Sequence, residues 1–175
     1  MTRSQVAKVK VCLVGDEAVG KTSLIRRFVY STYDESYIRT VGTMVTKKDV
    51  DMPDGAHYVS LMIWDIMGRK DFIELFKDAY FKYARGIIAV FDLTRPETLL
   101  SLREWIRGIR SSMDNIPTVV LANKVDLADQ ILIKDVEIEK LCAALSCSWV
   151  RTSAKTGDNV EKAFHSLASE IVKTY

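Results

Sequence analysis

The chain has 175 residues, of which 48% are apolar and 27% charged. The length fits one domain, and the balance excludes the disordered and fibrous classes. Lys and Arg number 25 against 23 Asp and Glu, a formal charge of +2, which is too small an excess to argue for nucleic acid. Cys12, Cys142 and Cys147 show no metal-ligand spacing and no CxxC, and read as small buried hydrophobes of a reducing compartment. No apolar run approaches the ~18 residues of a membrane span. The N-terminus lacks a signal core and a myristoylation glycine, and the last residues, Val172 to Tyr175, hold no cysteine for prenylation. The expectation is one cytoplasmic domain with no membrane anchor of its own.

In chain order, Val9 to Val14 reads as a strand running into glycine, and Lys21 to Val29 as a helix with Leu24, Ile25 and Phe28 inward. Strands follow at Thr43 to Asp51 and His57 to Asp65, joined by the turn Pro53-Asp54-Gly55. Further strands are predicted at Gly86 to Asp92, Thr118 to Ala122 and Ser148 to Thr152. Between and after them lie helices with one apolar face each, carried by Leu102, Trp105, Ile106 and Ile109, and by Val160, Ala163, Phe164, Leu167 and Ile171. Near-continuous apolar strands suit a sheet covered on both faces. The order predicts an α/β fold: one doubly wound, mostly parallel six-stranded sheet with one antiparallel strand and helices on both faces, in a single domain over residues 1–175.

Two motifs carry chemistry. The first strand leads into Gly15-Asp16-Glu17-Ala18-Val19-Gly20-Lys21-Thr22, a GxxxxGK[ST] loop that opens a helix. Its glycines let successive backbone N–H groups converge on phosphate oxygens, Lys21 adds a point charge, and the Thr22 hydroxyl can ligate Mg²⁺. Such a loop binds any nucleoside triphosphate, so the base must be read elsewhere. Asn123-Lys124-Val125-Asp126 follows a strand at the carboxyl edge where α/β sheets bind ligands. A carboxylate there can accept from both the ring N–H and the amine of guanine, a donor pair that adenine lacks. That argues against an unrelated P-loop ATPase or kinase. Ser153-Ala154-Lys155 follows the last strand, where the Ala154 N–H could reach the guanine oxygen.

The set Gly15–Thr22, Thr40, Asp65-Ile66-Met67-Gly68, Asn123–Asp126 and Ser153–Lys155 resembles the Ras superfamily of small GTPases, over about Val9 to Ile171. Within it, Tyr37-Ile38-Arg39-Thr40-Val41-Gly42 and Trp64-Asp65 look closest to the Rab-like branch. The resemblance implies a P-loop G-domain, GTP and GDP as ligands and Mg²⁺ as cofactor. It also implies a role in signalling or vesicle trafficking, through protein effectors, an exchange factor and a GTPase-activating protein around a monomer. Thr22 and Thr40 would ligate the metal directly and Asp65 through water. Glu17, Ala18, Val19, Gly20, Lys21, Thr22 and Ser23 would surround the phosphates. Tyr33 would lie against the guanine, Tyr37 would close over the phosphates, and Lys124 would lay its stem on the base. Lys21, Thr40, the Gly68 N–H and residue 69 would form the catalytic set, and residues 32–44 and 67–80 the two switch segments.

The sequence departs from this family in several places. Arg69 stands where glutamine is usual, and a guanidinium has five donors and no acceptor, so it cannot orient attacking water as an amide does. It would either slow hydrolysis or serve as a finger in cis, and a non-cycling, GTP-bound interaction module is the alternative to a cycling switch. Glu17 puts a carboxylate beside the phosphates, and pairing with Arg69 would relieve the repulsion. Met67 adds bulk to the second switch. Of an aromatic triad usual in Rab proteins only Trp64 is present, with Val45 and Ala79 at the other two places. Phe72, Phe76, Tyr80 and Phe81 would form either a different partner face or helix core. His57 and His165 are expected in surface or packing roles. The absence of a cysteine tail fits a trimmed chain or a natural form without lipid, such as a prokaryotic and particularly an archaeal member.

Overall fold

The structure, a computed structural model, describes residues 3–35, 40, 42–69, 71, 78–111 and 116–174. Six strands form one sheet: β1 (Ser4–Val14), β2 (Thr43–Asp51), β3 (His57–Ile66), β4 (Ala84–Asp92), β5 (Thr118–Asn123) and β6 (Ser148–Arg151). They lie in the order β2-β3-β1-β4-β5-β6. Among the described residues only the β2–β3 hairpin pairs antiparallel; the other four pairings are parallel. The helices are α1 (Lys21–Tyr30), α2 (Pro96–Arg110), α3 (Asp135–Ala144) and α4 (Val160–Val172). The expected α/β architecture is therefore the observed one.

Alternation along β1 builds two cores. Val9, Val11 and Leu13 pack with Leu24, Ile25 and Phe28 of α1 and Phe164 and Leu167 of α4. Cys12 and Val14 face the other way, onto Leu102, Trp105 and Ile106 of α2 and Ile138 and Leu141 of α3. The rings of Phe28 and Phe164 stack with centroids 4.0 Å apart, which joins α1 to α4. The sheet turns its C-terminal strand ends to one side, and the loops after β1, β5 and β6 meet there.

β1 starts five residues earlier than its apolar run, at Ser4. Its first residues pair with β3 alone and β4 joins only from Lys10, so that stretch needs no continuous apolar pattern. Among the described residues no helix is long and apolar enough to cross a membrane. Phe81 is buried and Tyr80 packs partly against the same core, so these two side chains belong to the interior; Phe72 and Phe76 lie outside the described residues. Val45 is exposed beside Trp64, its cross-strand partner, and the Lys10 ammonium sits 3.7 Å from the centre of the Trp64 ring. His57 pairs with Asp54 in the exposed hairpin turn and His165 lies 3.8 Å from Glu161 on α4, the surface roles expected of them.

Candidate functional site

The loop between β1 and α1 closes on itself through Lys21. This side chain is only 7% exposed, and its ammonium donates to the carbonyls of Gly15 at 2.7 Å and Asp16 at 2.8 Å. Burial pushes its pKa down to about 8, against the pull of Asp65, Asp16 and Glu17. Gly20 caps α1 in the left-handed region at φ 102°, and a β-carbon there would stand 2.3 Å from Asn123 Nδ2. Gly68 is as constrained, since a β-carbon would meet the Glu17 backbone nitrogen at 2.5 Å. The segment after β3 thus begins in backbone contact with the loop after β1.

Next to the ammonium, three oxygens converge from three segments. Thr22 Oγ1 lies 2.9 Å from Thr40 Oγ1 and donates to Asp65 Oδ2 at 2.5 Å. Asp65 is 1% exposed, burial raises its pKa, and its Oδ1 is buried with no hydrogen-bond partner among the described residues. An orphaned carboxylate oxygen among hydroxyls is a hard-oxygen donor set, the chemistry of a Mg²⁺ site. The residues present therefore fit the metal that the resemblance implies. Lys21, Thr22 and Thr40 line a cavity of about 280 Å³ with Glu17, Gly20, Tyr33, Met67 and Gly68.

A second cavity of about 190 Å³ adjoins it, lined by Asn123, Lys124, Asp126, Leu127, Ala154 and Lys155. Gly20, Ser23, Tyr33 and Lys124 border both, so the two are compartments of one cleft. Asp126 Oδ1 accepts from Ser153 Oγ at 2.6 Å, which fixes the carboxylate plane and leaves Oδ2 with no hydrogen bond from a described residue. Lys124, in the left-handed region at φ 71°, pairs its ammonium with Asp92 Oδ2 at 2.7 Å. Tyr33 is 38% exposed at the junction of the compartments, whereas Tyr37 lies outside the described residues.

Several expectations change in detail. Asn123 is buried, and its amide joins two other segments: Nδ2 donates to Val19 O at 2.8 Å, while Oδ1 accepts from Thr152 Oγ1 at 3.2 Å and Ala154 N at 3.3 Å. It acts as a brace between loops, and the Ala154 N–H expected to reach a base oxygen is directed at Asn123. Ser153 orients Asp126. The Glu17–Arg69 pair is replaced by another: the Arg69 guanidinium forks onto Asp71, with Nη2 at 2.5 Å and Nε at 3.2 Å. A carboxylate two residues away on the same segment is nearer than one across the loop, and Glu17 acts on Arg69 only as a further, weaker attraction.

Three supports have no signature in the motif pattern. Arg27 on α1 donates from Nε to Ala154 O at 2.8 Å and from Nη2 to Lys155 O, clamping the Ser153–Lys155 loop to the helix that follows the phosphate loop. Asp16 Oδ1 accepts from Ser101 Oγ at 2.7 Å and Trp105 Nε1 at 2.8 Å. That explains why the apolar face of α2 carries an indole, with its one polar atom, at that end. Asp92 ends β4, 1% exposed. It accepts from Lys124, from Arg95 Nε at 3.1 Å and from Thr94 N and Oγ1, while Arg95 Nη2 reaches the Glu17 carbonyl at 2.8 Å.

Burial alone would raise the Asp92 pKa, but the hydrogen bonds from Lys124 and Thr94 outweigh it and hold the carboxyl below its ordinary range. A depressed pKa contributes stability above the unfolded-state value near ~3.9, lost as pH falls through the folded-state value. Asp92→Asn should cost about 3 kcal/mol at neutral pH, the low end for breaking a buried pair because Lys124 and Arg95 reach solvent. Urea denaturation of both proteins should show the gap narrowing below pH ~4.

The cleft combines a glycine-bounded loop with a buried lysine, a carboxylate–hydroxyl cluster suited to a hard cation, and an oriented carboxylate at the far end. In keeping with that geometry, a sequence model of the Ras family matches residues 10–173. The chain belongs to the Ras family of GTP-binding switch proteins.

Proposed function

We propose that the chain is a cytoplasmic, monomeric molecular switch that binds GTP and GDP with Mg²⁺ and hydrolyses GTP slowly, on a single domain of the Rab-like branch. The observation that carries this reading is the joining of two compartments in one cleft. At one end Asp126, oriented by Ser153, would accept the two guanine donors. At the other, Lys21 and the Thr22–Thr40–Asp65 cluster would face the phosphates. Lys124 and Tyr33 would flank the base, and Tyr37 would close over the phosphates. Thr22 and Thr40 would hold the metal directly and Asp65 through water. Bound Mg²⁺ would supply charge neutralisation at the β- and γ-phosphates. Thr40 and the Gly68 N–H would report the γ-phosphate to an effector, and an exchange factor and a GTPase-activating protein would turn the cycle. The Rab-like placement rests on residues 37–42 and Trp64-Asp65.

A second reading, a hydrolysis-impaired module that stays GTP-bound, draws on Arg69. Its guanidinium pairs with Asp71 and offers no acceptor to water, which favours impaired hydrolysis over a finger in cis.

Chromatography of nucleotide released by denaturing freshly purified protein should give GDP as the main species; GTP would favour the stalled module, and an adenine nucleotide would overturn the guanine assignment. In single-turnover assays, Arg69→Gln should raise hydrolysis ~10-fold or more. An unchanged rate would show that Arg69 is neutral, and a fall that it supports the chemistry. Arg27→Ala should speed GDP release about 10-fold, the equivalent of one charge-assisted hydrogen bond. Arg27→Lys should restore little of it, since one ammonium cannot fork onto two carbonyls. Fluorescent-nucleotide displacement measures both.

A further inference from the structure

At the opposite end of the sheet, the described residues bring a second pair of reactive groups together. Helix α3 ends in a Schellman turn: Ser146, at φ 49°, donates to Ala143 O at 3.3 Å, and Cys147 donates to Cys142 O at 3.1 Å. That second bond draws the first and last residues of the turn together, the two positions whose side chains commonly touch in this motif. Here both are cysteines. The Cys147 thiol also donates toward the Cys142 carbonyl at 3.7 Å. Cys142 is 2% exposed and Cys147 half-buried. Both line an open depression of about 540 Å³ with Pro117, Ser148 and Glu170.

The pair is asymmetric. The carbonyl end of a helix opposes a thiolate, but Arg110 places a guanidinium there, donating to Leu145 O and to Thr118 Oγ1. The adjoining Cys142 side chain, followed by Arg110, lowers the Cys147 thiol against its burial, while Cys142 is raised. Cys12 supplies the contrast: it is fully buried, and burial pushes its thiol up to about 12.

We propose that Cys142 and Cys147 are a redox-modification site, a dithiol that a hydroperoxide closes reversibly to an intramolecular disulfide. The more accessible Cys147 attacks first. Its sulfur bonds to one peroxide oxygen, the O–O bond breaks, and the leaving hydroxide takes up the thiol proton as water, so that Cys147 becomes a sulfenic acid. The Cys142 sulfur then attacks the Cys147 sulfur. The S–S bond forms, the S–O bond breaks, and a second water leaves with the Cys142 proton. Two thiols lose two electrons and two protons, and hydrogen peroxide is reduced to two waters. The proposal involves no group of the nucleotide cleft and stands apart from the reading given for it.

The test is peptide mass spectrometry on folded, nucleotide-bound protein treated with hydrogen peroxide. Both cysteines fall in one tryptic peptide, Leu141 to Arg151. That peptide should lose two hydrogens and regain them with dithiothreitol, while Cys12 stays reduced. Iodoacetamide should label Cys147 on the order of 10-fold faster than Cys12. Cys147→Ser should abolish the loss, and Cys142→Ala should leave Cys147 as a sulfenic acid that dimedone captures. Should Cys142→Ala not fold, the wild-type peptide mass decides alone. Cys147 advancing to sulfinic acid beside a reduced Cys142, a disulfide-linked dimer, or closure only after denaturation would each overturn the proposal.

Discussion

The cleft depends on one buried amide. Asn123 sits at the end of β5, and its carboxamide hydrogen-bonds the phosphate loop on one side and the loop after β6 on the other. An amide presents donors and an acceptor on opposite sides, so a single side chain can bind two backbones that do not otherwise pair. Shielded from water, each such bond is expensive to leave unmade. Gly20 is glycine partly because this amide occupies the space a β-carbon would need. The distance between the two compartments of the cleft is thereby set by the sheet, through the Asn123 brace.

Around that brace the polar groups are arranged in tension. Lys21 is held by loop carbonyls that a phosphate would displace, and Asp65 keeps one buried oxygen with no hydrogen-bond partner among the described residues. Both charges are costly where they lie, and each suits a ligand of opposite sign. Peripheral supports carry the strain outward. Asp16 is tied to α2 through Trp105, Arg27 ties α1 to the Ser153–Lys155 loop, and Asp92 with Arg95 links Lys124 to the Glu17 carbonyl. These contacts join all three loops of the cleft to helices or strand ends, which are the stiffer parts of the molecule.

Much of this was legible in residue order. Runs such as Ile87 to Phe91 carry buried strands whatever their neighbours, and the GxxxxGK[ST] spacing works only as a strand–loop–helix. Asp126 and Lys21 declared their compartments because the chemistry is local to a few consecutive residues. The supports were not legible, because their partners are far apart in sequence. Arg27 and Ala154, or Asp16 and Trp105, are related only through sheet order. Arg69 shows the same limit at short range: the sequence offers two carboxylates, Glu17 and Asp71, and chain geometry alone selects Asp71.

The sequence by itself determined the fold class, the glycine-bounded loop after β1 and the residues proposed to read a base, because periodicity and short motifs are properties of neighbouring residues. Tertiary structure alone decided that Asn123 braces rather than only contacts, that Ser153 aims Asp126, and that Arg27, Asp92 and Arg95 hold the cleft together. It also decided that Cys147, unlike Cys12, reaches the surface beside a second thiol. The cleft contacts are a matter of which distant groups the folded sheet brings within hydrogen-bonding range, and no local pattern encodes that distance.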